Sequence, residues 1–245
     1  MCLISIITIT YNAEKELPST MKSIAEQTFG DYEHLIIDGA SKDGTVNVAA
    51  KMRTERTRII SEPDKGLYDA MNKGLRQARG EYVLFLNAGD CFAAPDVLAS
   101  FADGAATGAD IIYGDTDIVD CEGTVIGHRH HSAPDVLTFE SFSRGMLICH
   151  QAFMVKRSLS PEYDLSYRFS ADYDWTVKCI KRTSPERCHN LRRVAIHYLS
   201  DGLTDRNKVA SLKERFRIMR GHYGLPKTLA RHFGMVLNAV VKRSK

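Results

Sequence analysis

The sequence predicts an α/β fold, a mixed and mostly parallel sheet flanked by helices, followed by a basic helical tail. Three observations carry this: short apolar runs bounded by turn residues, helical periodicity between them, and a change of charge near residue 204. Strands are expected at 3–10, 33–38, 57–61, 81–86 and 110–113. Between the first two, Leu17, Met21 and Ile24 share one helical face. Asp38-Gly-Ala-Ser-Lys-Asp-Gly-Thr45 is turn chemistry, after which Val46, Ala49, Ala50 and Arg53 suit a short helix. Leu67, Met71, Leu75 and Ala78 form the next apolar stripe. Regularity weakens after about 115, where strands are expected near 124–130, 147–155 and 192–198 and a helix near 172–182.

Length and composition bound the function. A chain of 245 residues with 44% hydrophobic content buries a full core as one domain, or as one domain plus a tail. No apolar stretch approaches the length of a membrane span. The run 3–10 lacks the basic flank and cleavage site of a secretory signal and reads as a buried strand. Six cysteines without a CxxC pair suit reduced thiols in a cytoplasmic protein and give no zinc-ligand spacing. The same holds for His128-Arg-His-His131, which reads as a solvated surface.

Net charge is +3, but residues 205–245 hold eleven Lys or Arg against two acids, a net +9, which leaves −6 on residues 1–204. The tail lacks the interleaved aromatics of a single-strand binder, so no nucleic-acid partner is expected. Leu225, Leu229, Phe233, Val236, Leu237 and Val240 follow helical spacing among Lys227, Arg231, Lys242 and Arg243. This suits a helix on an anionic membrane surface; packing on the body or on a second copy in a homodimer is the alternative.

In an open parallel sheet, ligands bind beyond the carboxyl ends of the strands. The chain places polar groups there. Thr10-Tyr-Asn-Ala-Glu14 ends the first strand, and Tyr11, Asn12 and Glu14 offer an aromatic face and hydrogen bonds for a nucleotide base. Asp38 ends the second strand, for base recognition or for turn formation. In Ser61–Gly74, Asp64 can cap the next helix and Lys65 can reach phosphate; Asp69 and Lys73 could alternatively form an i,i+4 ion pair of about 0.3–0.5 kcal/mol. Neither GxGxxG nor GxxxxGK[ST] occurs, which weakens dehydrogenase and ATPase readings. A divalent cation held by carboxylate is then the device for a diphosphate.

These motifs, in this order, resemble the family-2 glycosyltransferases of GT-A fold over residues 1 to about 204, and within them the non-processive enzymes of bacterial exopolysaccharide, capsule and lipopolysaccharide assembly, including the colanic-acid type. The resemblance implies a nucleotide-sugar half over 1–114 and an acceptor half over 115–204, with 205–245 as the tail. It implies that Asp38 accepts the uracil imide proton and that Asp64 contacts the nucleotide. Asp69 and Asn72 would lie toward the donor sugar.

Leu86-Asn-Ala-Gly-Asp90 stands in the place of the family's DxD-type motif with Asn87 and Gly89 replacing aspartates. Asp90 is then the metal ligand, for Mn²⁺ or Mg²⁺, and Asn87 a ribose or metal-shell contact. Ser170-Ala-Asp-Tyr-Asp-Trp175 matches the Glu-Asp signature, with Ala171 in the glutamate's place and Asp172 as catalytic base; a plain helix N-terminus is the alternative, and Asp174 the fallback. Cys149-His-Gln-Ala-Phe153 places His150 toward acceptor or diphosphate, and His197–Thr204 matches a loop over the diphosphate, with His197 a further ligand. Trp175 suits core better than a sugar platform.

The absence of QxxRW favours one sugar per encounter. The implied activity is inverting transfer from a nucleotide-diphosphate sugar, UDP-linked, to a glycan or lipid-linked acceptor, in the cytoplasm or on the inner membrane face. The losses at Asn87, Gly89 and Ala171 keep a non-catalytic nucleotide-sugar-binding protein in play, and a sugar nucleotidyltransferase lacks its glycine-rich first loop.

Overall fold

The computed structural model describes residues 2–129, 131–200 and 208–233. Its strands are β1 (Ile4–Thr10), β2 (Tyr32–Asp38), β3 (Thr57–Ser61), β4 (Tyr82–Phe85), β5 (Cys91–Phe92), β6 (Ile111–Val119), β7 (Val125–His128), β8 (Phe153–Lys156) and β9 (Cys188–Leu199). The helices are α1 (Leu17–Ala25), α2 (Thr45–Met52), α3 (Leu67–Gln77), α4 (Val97–Ala106), α5 (Ala171–Ile180) and α6 (Lys208–Tyr223), and a further helical run covers 225–233.

The sheet runs β3-β2-β1-β4-β8-β6-β9-β5, with β7 added to β6. Its first four strands are parallel; β8 is antiparallel to β4 and β6, and β9 is parallel to β6. β1 and β2 are buried along their whole length, as expected of strands covered on both faces. Helix α3 lies so close to the sheet that a Cβ at Gly74 would meet Ile7 Cγ2 at 2.5 Å. A side chain there would have to displace Ile7 or push α3 away from β1.

Most expected elements are present, and four differ for physical reasons. β6 continues to Val119 rather than ending at 113, because β7 and β9 pair with its polar half. The expected strand 147–155 is mostly loop: His150–Ala152 form a 3-10 turn and only β8 is strand. Arg53 closes α2 as an extended C-cap instead of continuing it. Helix α4, with Val97, Leu98, Phe101, Ala102 and Ala105 buried, had no sequence expectation because small apolar residues blur its periodicity.

The tail begins as part of the body. Glu214 of α6 accepts the backbone N–H groups of Arg168 and Phe169, each at 2.8 Å, and Ser211 meets Ser170 at 3.0 Å. Lys227 and Arg231 both turn to Glu140. Leu225, Leu229 and Phe233, by contrast, are 47%, 52% and 67% exposed. Val236, Leu237, Val240, Lys242 and Arg243 lie outside the described residues, as do Asp201, Gly202 and Thr204. Among the described residues no helix is long and apolar enough to cross a membrane.

Candidate active site

The carboxyl ends of β1, β2 and β3 meet in an interlocked floor. Asp38 is 1% exposed, and its carboxylate accepts from Thr10 Oγ1 (3.0 Å), Ser41 N (3.0 Å), Ser61 Oγ (2.6 Å) and Ser41 Oγ. Burial works to raise its pKa, but these donors outweigh it and hold the carboxyl below its usual range. Four bonds fill the acceptor sites of a carboxylate. Asp38 thus ties the loop after β2 to β1 and β3, and a base imide would bond it by displacing one of these donors.

Asn12 and Glu14 are exposed and each ties down the same loop through one side-chain oxygen. Asn12, at φ 50°, donates its N–H to Ser41 Oγ (2.8 Å) and accepts Lys42 N on Oδ1 (2.9 Å). Glu14 Oε2 accepts Gly44 N at 3.0 Å. Above this floor Tyr11 is 60% exposed. A Cβ at Gly39 would fall 2.4 Å from Asp64 Oδ2 and 3.2 Å from Tyr11 Cδ2, so Gly39 lets these two side chains approach the end of β2 closely.

Asp64 Oδ1 accepts Gly66 N (2.8 Å) and Asp69 Oδ2 accepts Lys65 N (3.0 Å), which shapes the entry to α3 and leaves the Lys65 side chain exposed. Lys73 pairs with Glu62 (3.1 Å) and Pro63 O (2.6 Å), not with Asp69. The Asn72 amide is buried and exchanges two bonds with the backbone of Tyr163, at 3.0 and 2.6 Å, so it anchors that loop.

Beyond β4, Thr20 accepts Gly89 N at 2.9 Å and donates to Asn87 O at 3.3 Å, holding the turn to Asp90. Asp90 is buried; Gln151 Nε2 donates to its Oδ2 (2.8 Å) and Leu199 N to its Oδ1 (3.1 Å). Burial pushes the Asp90 carboxyl up to about 7, with Gln151 and the Leu199 N–H working against the rise. Asn87 Oδ1 is buried without a hydrogen-bond partner. Two oxygen donors, one ionisable and one orphaned, fit a hard divalent cation. No cluster of three ligating side chains exists among the described residues, so diphosphate oxygens and water would complete its shell. His197 stands opposite Cys91 in the β5–β9 ladder, beside this turn.

Asp172 opens α5, its side chain 24% exposed. Tyr68 Oη donates to its Oδ1 at 3.1 Å, and His150 Nδ1 stands 3.9 Å from its Oδ2. Burial and the Asp172 charge hold the Tyr68 pKa well above its usual value, so the phenol stays a donor. Tyr68 is fixed by a stack: Tyr163 lies parallel to it at 5.6 Å and to Trp175 at 5.1 Å. Trp175 is fully buried and donates to Pro161 O, as core. The fallback base Asp174 is excluded by its partners. His222 Nε2 (2.7 Å) and Lys178 Nζ (2.6 Å) hold it, and they lower its pKa against the opposing effect of burial.

One dipeptide joins the two acids. Gln151 binds Asp90 while its neighbour His150 faces Asp172. Cys149 sets the amide's orientation by donating Sγ–H to Gln151 Oε1 at 2.6 Å; burial pushes this thiol up to about 11, so it remains a donor. Burial lowers the His150 pKa despite Asp172, and its Nε2 is enclosed without a partner. Gln151 and Cys149 had no role assigned from sequence, since only folding brings their side chains to Asp90. His128 pairs with Asp117 on the exposed β6–β7 hairpin; His130 lies outside the described residues.

Residues 5–163 match the model of glycosyl transferase family 2. The chain belongs to this family. It is 38% identical over 185 residues to a PGL/p-HBAD biosynthesis glycosyltransferase of Mycobacterium tuberculosis, covering 72% of this chain and 69% of the relative. It is 22% identical over 218 residues to the Escherichia coli UDP-Glc:alpha-D-GlcNAc-diphosphoundecaprenol beta-1,3-glucosyltransferase WfgD, covering 89% and 85%. The fold is shared with Staphylococcus aureus TarS 1-349, at TM-score 0.73 and 19% identity over 95% of this chain and 72% of that one. It is also shared with glucosyl-3-phosphoglycerate synthase of M. tuberculosis, crystallised with Mn²⁺ and UDP, at TM-score 0.62 and 16% identity over 92% and 81%. This family-2 member is therefore a glycosyltransferase, and its fold is of the GT-A kind, as its motifs implied.

Proposed function

We propose that this glycosyltransferase moves one sugar, with inversion, from a UDP-linked donor to a hydroxyl of a glycan or lipid-linked acceptor in bacterial surface polysaccharide synthesis. The observation that supports the reading most is that the adjacent residues His150 and Gln151 meet Asp172 and Asp90 respectively. The name of the E. coli relative, with its UDP-glucose donor and diphosphoundecaprenol-linked acceptor, supports the donor and acceptor classes.

The uracil lies against Tyr11, Gly39 and Asp64, and the diphosphate runs toward Asn87 and Asp90. A divalent cation held by Asp90 and Asn87 would supply positive charge for the departing diphosphate. Lys65, exposed at the entry to α3, is the phosphate-side cation of the donor half. Asp172 accepts the proton of the incoming hydroxyl as its oxygen bonds to the anomeric carbon. The bond from that carbon to the β-phosphate oxygen breaks, and its electron pair leaves with UDP. Tyr68 aims the carboxylate through Oδ1, leaving Oδ2 for the acceptor, and His150 borders the same space. Asp69 and Asn72 shape the donor side through backbone contacts. The test is release of UDP from UDP-linked hexoses with Mn²⁺ present; binding without any release would support the non-catalytic alternative.

The exposed stripe Leu225, Leu229 and Phe233 gives the membrane reading its support, because α6 itself is occupied by the body. We expect the full chain to co-sediment with phosphatidylglycerol liposomes and a chain lacking 225–245 to stay in solution. Equal sedimentation of both would defeat this part of the proposal.

A further inference from the structure

Arg129 follows β7 at the edge of the acceptor half, within the histidine cluster that reads from sequence as a solvated surface. Its side chain does not behave that way. Nη2 donates to Met146 O at 3.2 Å, while Nη1 is enclosed without any hydrogen-bond partner. Among the described residues no carboxylate pairs with it, although Asp117 engages the adjacent His128. The ladder sets the geometry. Asp117 stands opposite His128, so Thr116 and Arg129 are the next pair, and Arg129 N donates to Thr116 O at 3.4 Å. Side chains alternate along strands, which sends Arg129 and Thr116 to the face opposite the His128–Asp117 pair.

Thr116 Oγ1 is itself buried and unpartnered, as is His150 Nε2. The guanidinium is also a positive charge felt by Cys149 and His150, the residues beside Gln151 and Asp172. An enclosed guanidinium nitrogen, Nη1, and an enclosed hydroxyl, both able to donate and both unanswered, are complementary to an anion with several acceptor oxygens.

We propose that Arg129, with Thr116, is a phosphate-binding site of the reaction cleft. The inference rests on the nucleotide-sugar reading and deepens it. A diphosphate departing past a single acidic side chain, Asp90, has little cation-holding capacity around it, and a chain-borne cation supplies the missing charge. A guanidinium carries two hydrogens on each terminal nitrogen, so with one Nη2 hydrogen committed to Met146 O both hydrogens of Nη1 remain to be donated to a phosphate. Two phosphates could occupy it, that of the donor or that of a diphosphate-linked lipid acceptor.

The test compares wild-type protein with R129Q and R129K by isothermal titration, using UDP, uridine and farnesyl diphosphate as probes. R129Q is expected to weaken a diphosphate probe by about 10- to 100-fold and leave uridine unchanged. R129K, which keeps the charge but not the fork, should fall between; should R129Q not fold, R129K carries the comparison. Loss for UDP alone assigns the donor phosphate, loss for farnesyl diphosphate alone assigns the acceptor phosphate, and loss for both assigns one shared subsite. Unchanged diphosphate binding in both variants, or an equal loss for uridine, overturns the inference and leaves the proposed function standing. Failure of the wild-type protein to bind UDP overturns both.

Discussion

Asp172→Asn is expected to lower turnover by about 10²- to 10⁴-fold while leaving UDP affinity within about twofold, because it removes a general base and no donor contact. The amide keeps the shape of the carboxylate, and its oxygen can still accept the Tyr68 hydroxyl that now binds Oδ1. It cannot take a proton from an incoming hydroxyl. The substitution should cost little stability, since the carboxylate is partly exposed and its favourable place at the start of α5 is worth only about 0.3–1 kcal/mol. Steady-state rates and UDP titration of the two proteins make the comparison. Unchanged turnover would remove Asp172 from the role, and Asp174, locked between Lys178 and His222, offers no replacement.

Asp90→Asn should separate stability from function. The folded protein holds the Asp90 carboxyl near pKa 7, above the ordinary 3.8, because burial penalises the charge. A pKa raised on folding means that the native state binds the proton more tightly than the unfolded chain does. The resulting penalty is absent below about pH 4, grows as pH rises toward 7, and is complete above it, with an upper bound of roughly 4 kcal/mol. Replacement by Asn removes the penalty but sets an amide N–H against the Gln151 or Leu199 donor, which returns about 1–3 kcal/mol.

The ligand-free variant should therefore be more stable than wild type by about 1–3 kcal/mol at pH 8 and lose that advantage by pH 4. It should also lose the increase in UDP affinity that Mn²⁺ gives the wild-type protein. Urea unfolding at the two pH values and UDP titration with and without Mn²⁺ provide the readings. A variant that is less stable at pH 8, or that keeps the Mn²⁺ effect, would contradict the assignment. His34 provides an internal contrast. Burial lowers its pKa from 6.5 to about 3, so its contribution to stability is lost as pH falls below 6.5, and this behaviour is common to both proteins.

The first four parallel strands were legible because strands covered on both faces are apolar along their length, as Ile4–Thr10 and Tyr32–Asp38 show. β6 was read short because Asp115 and Asp117 look like the end of a strand; the hairpin partner that accommodates them, at His128, cannot be seen locally. The site was legible as a set of positions, not as a set of roles. The partners that Asp38 and Asn72 hold, Ser61 and Tyr163, lie 23 and 91 residues away and meet them only after folding. Gln151 and Arg129 went unassigned for the same reason. Their importance lies in whom they meet, or fail to meet, after folding.

The most direct test of the account is the anomeric configuration of the sugar released or transferred from an α-linked UDP-hexose, followed by proton NMR as the reaction proceeds. Direct attack by a hydroxyl deprotonated at Asp172, on the face opposite the departing diphosphate, predicts that the β anomer forms first. Initial formation of the α anomer would require a different displacement and would contradict the role given to Asp172.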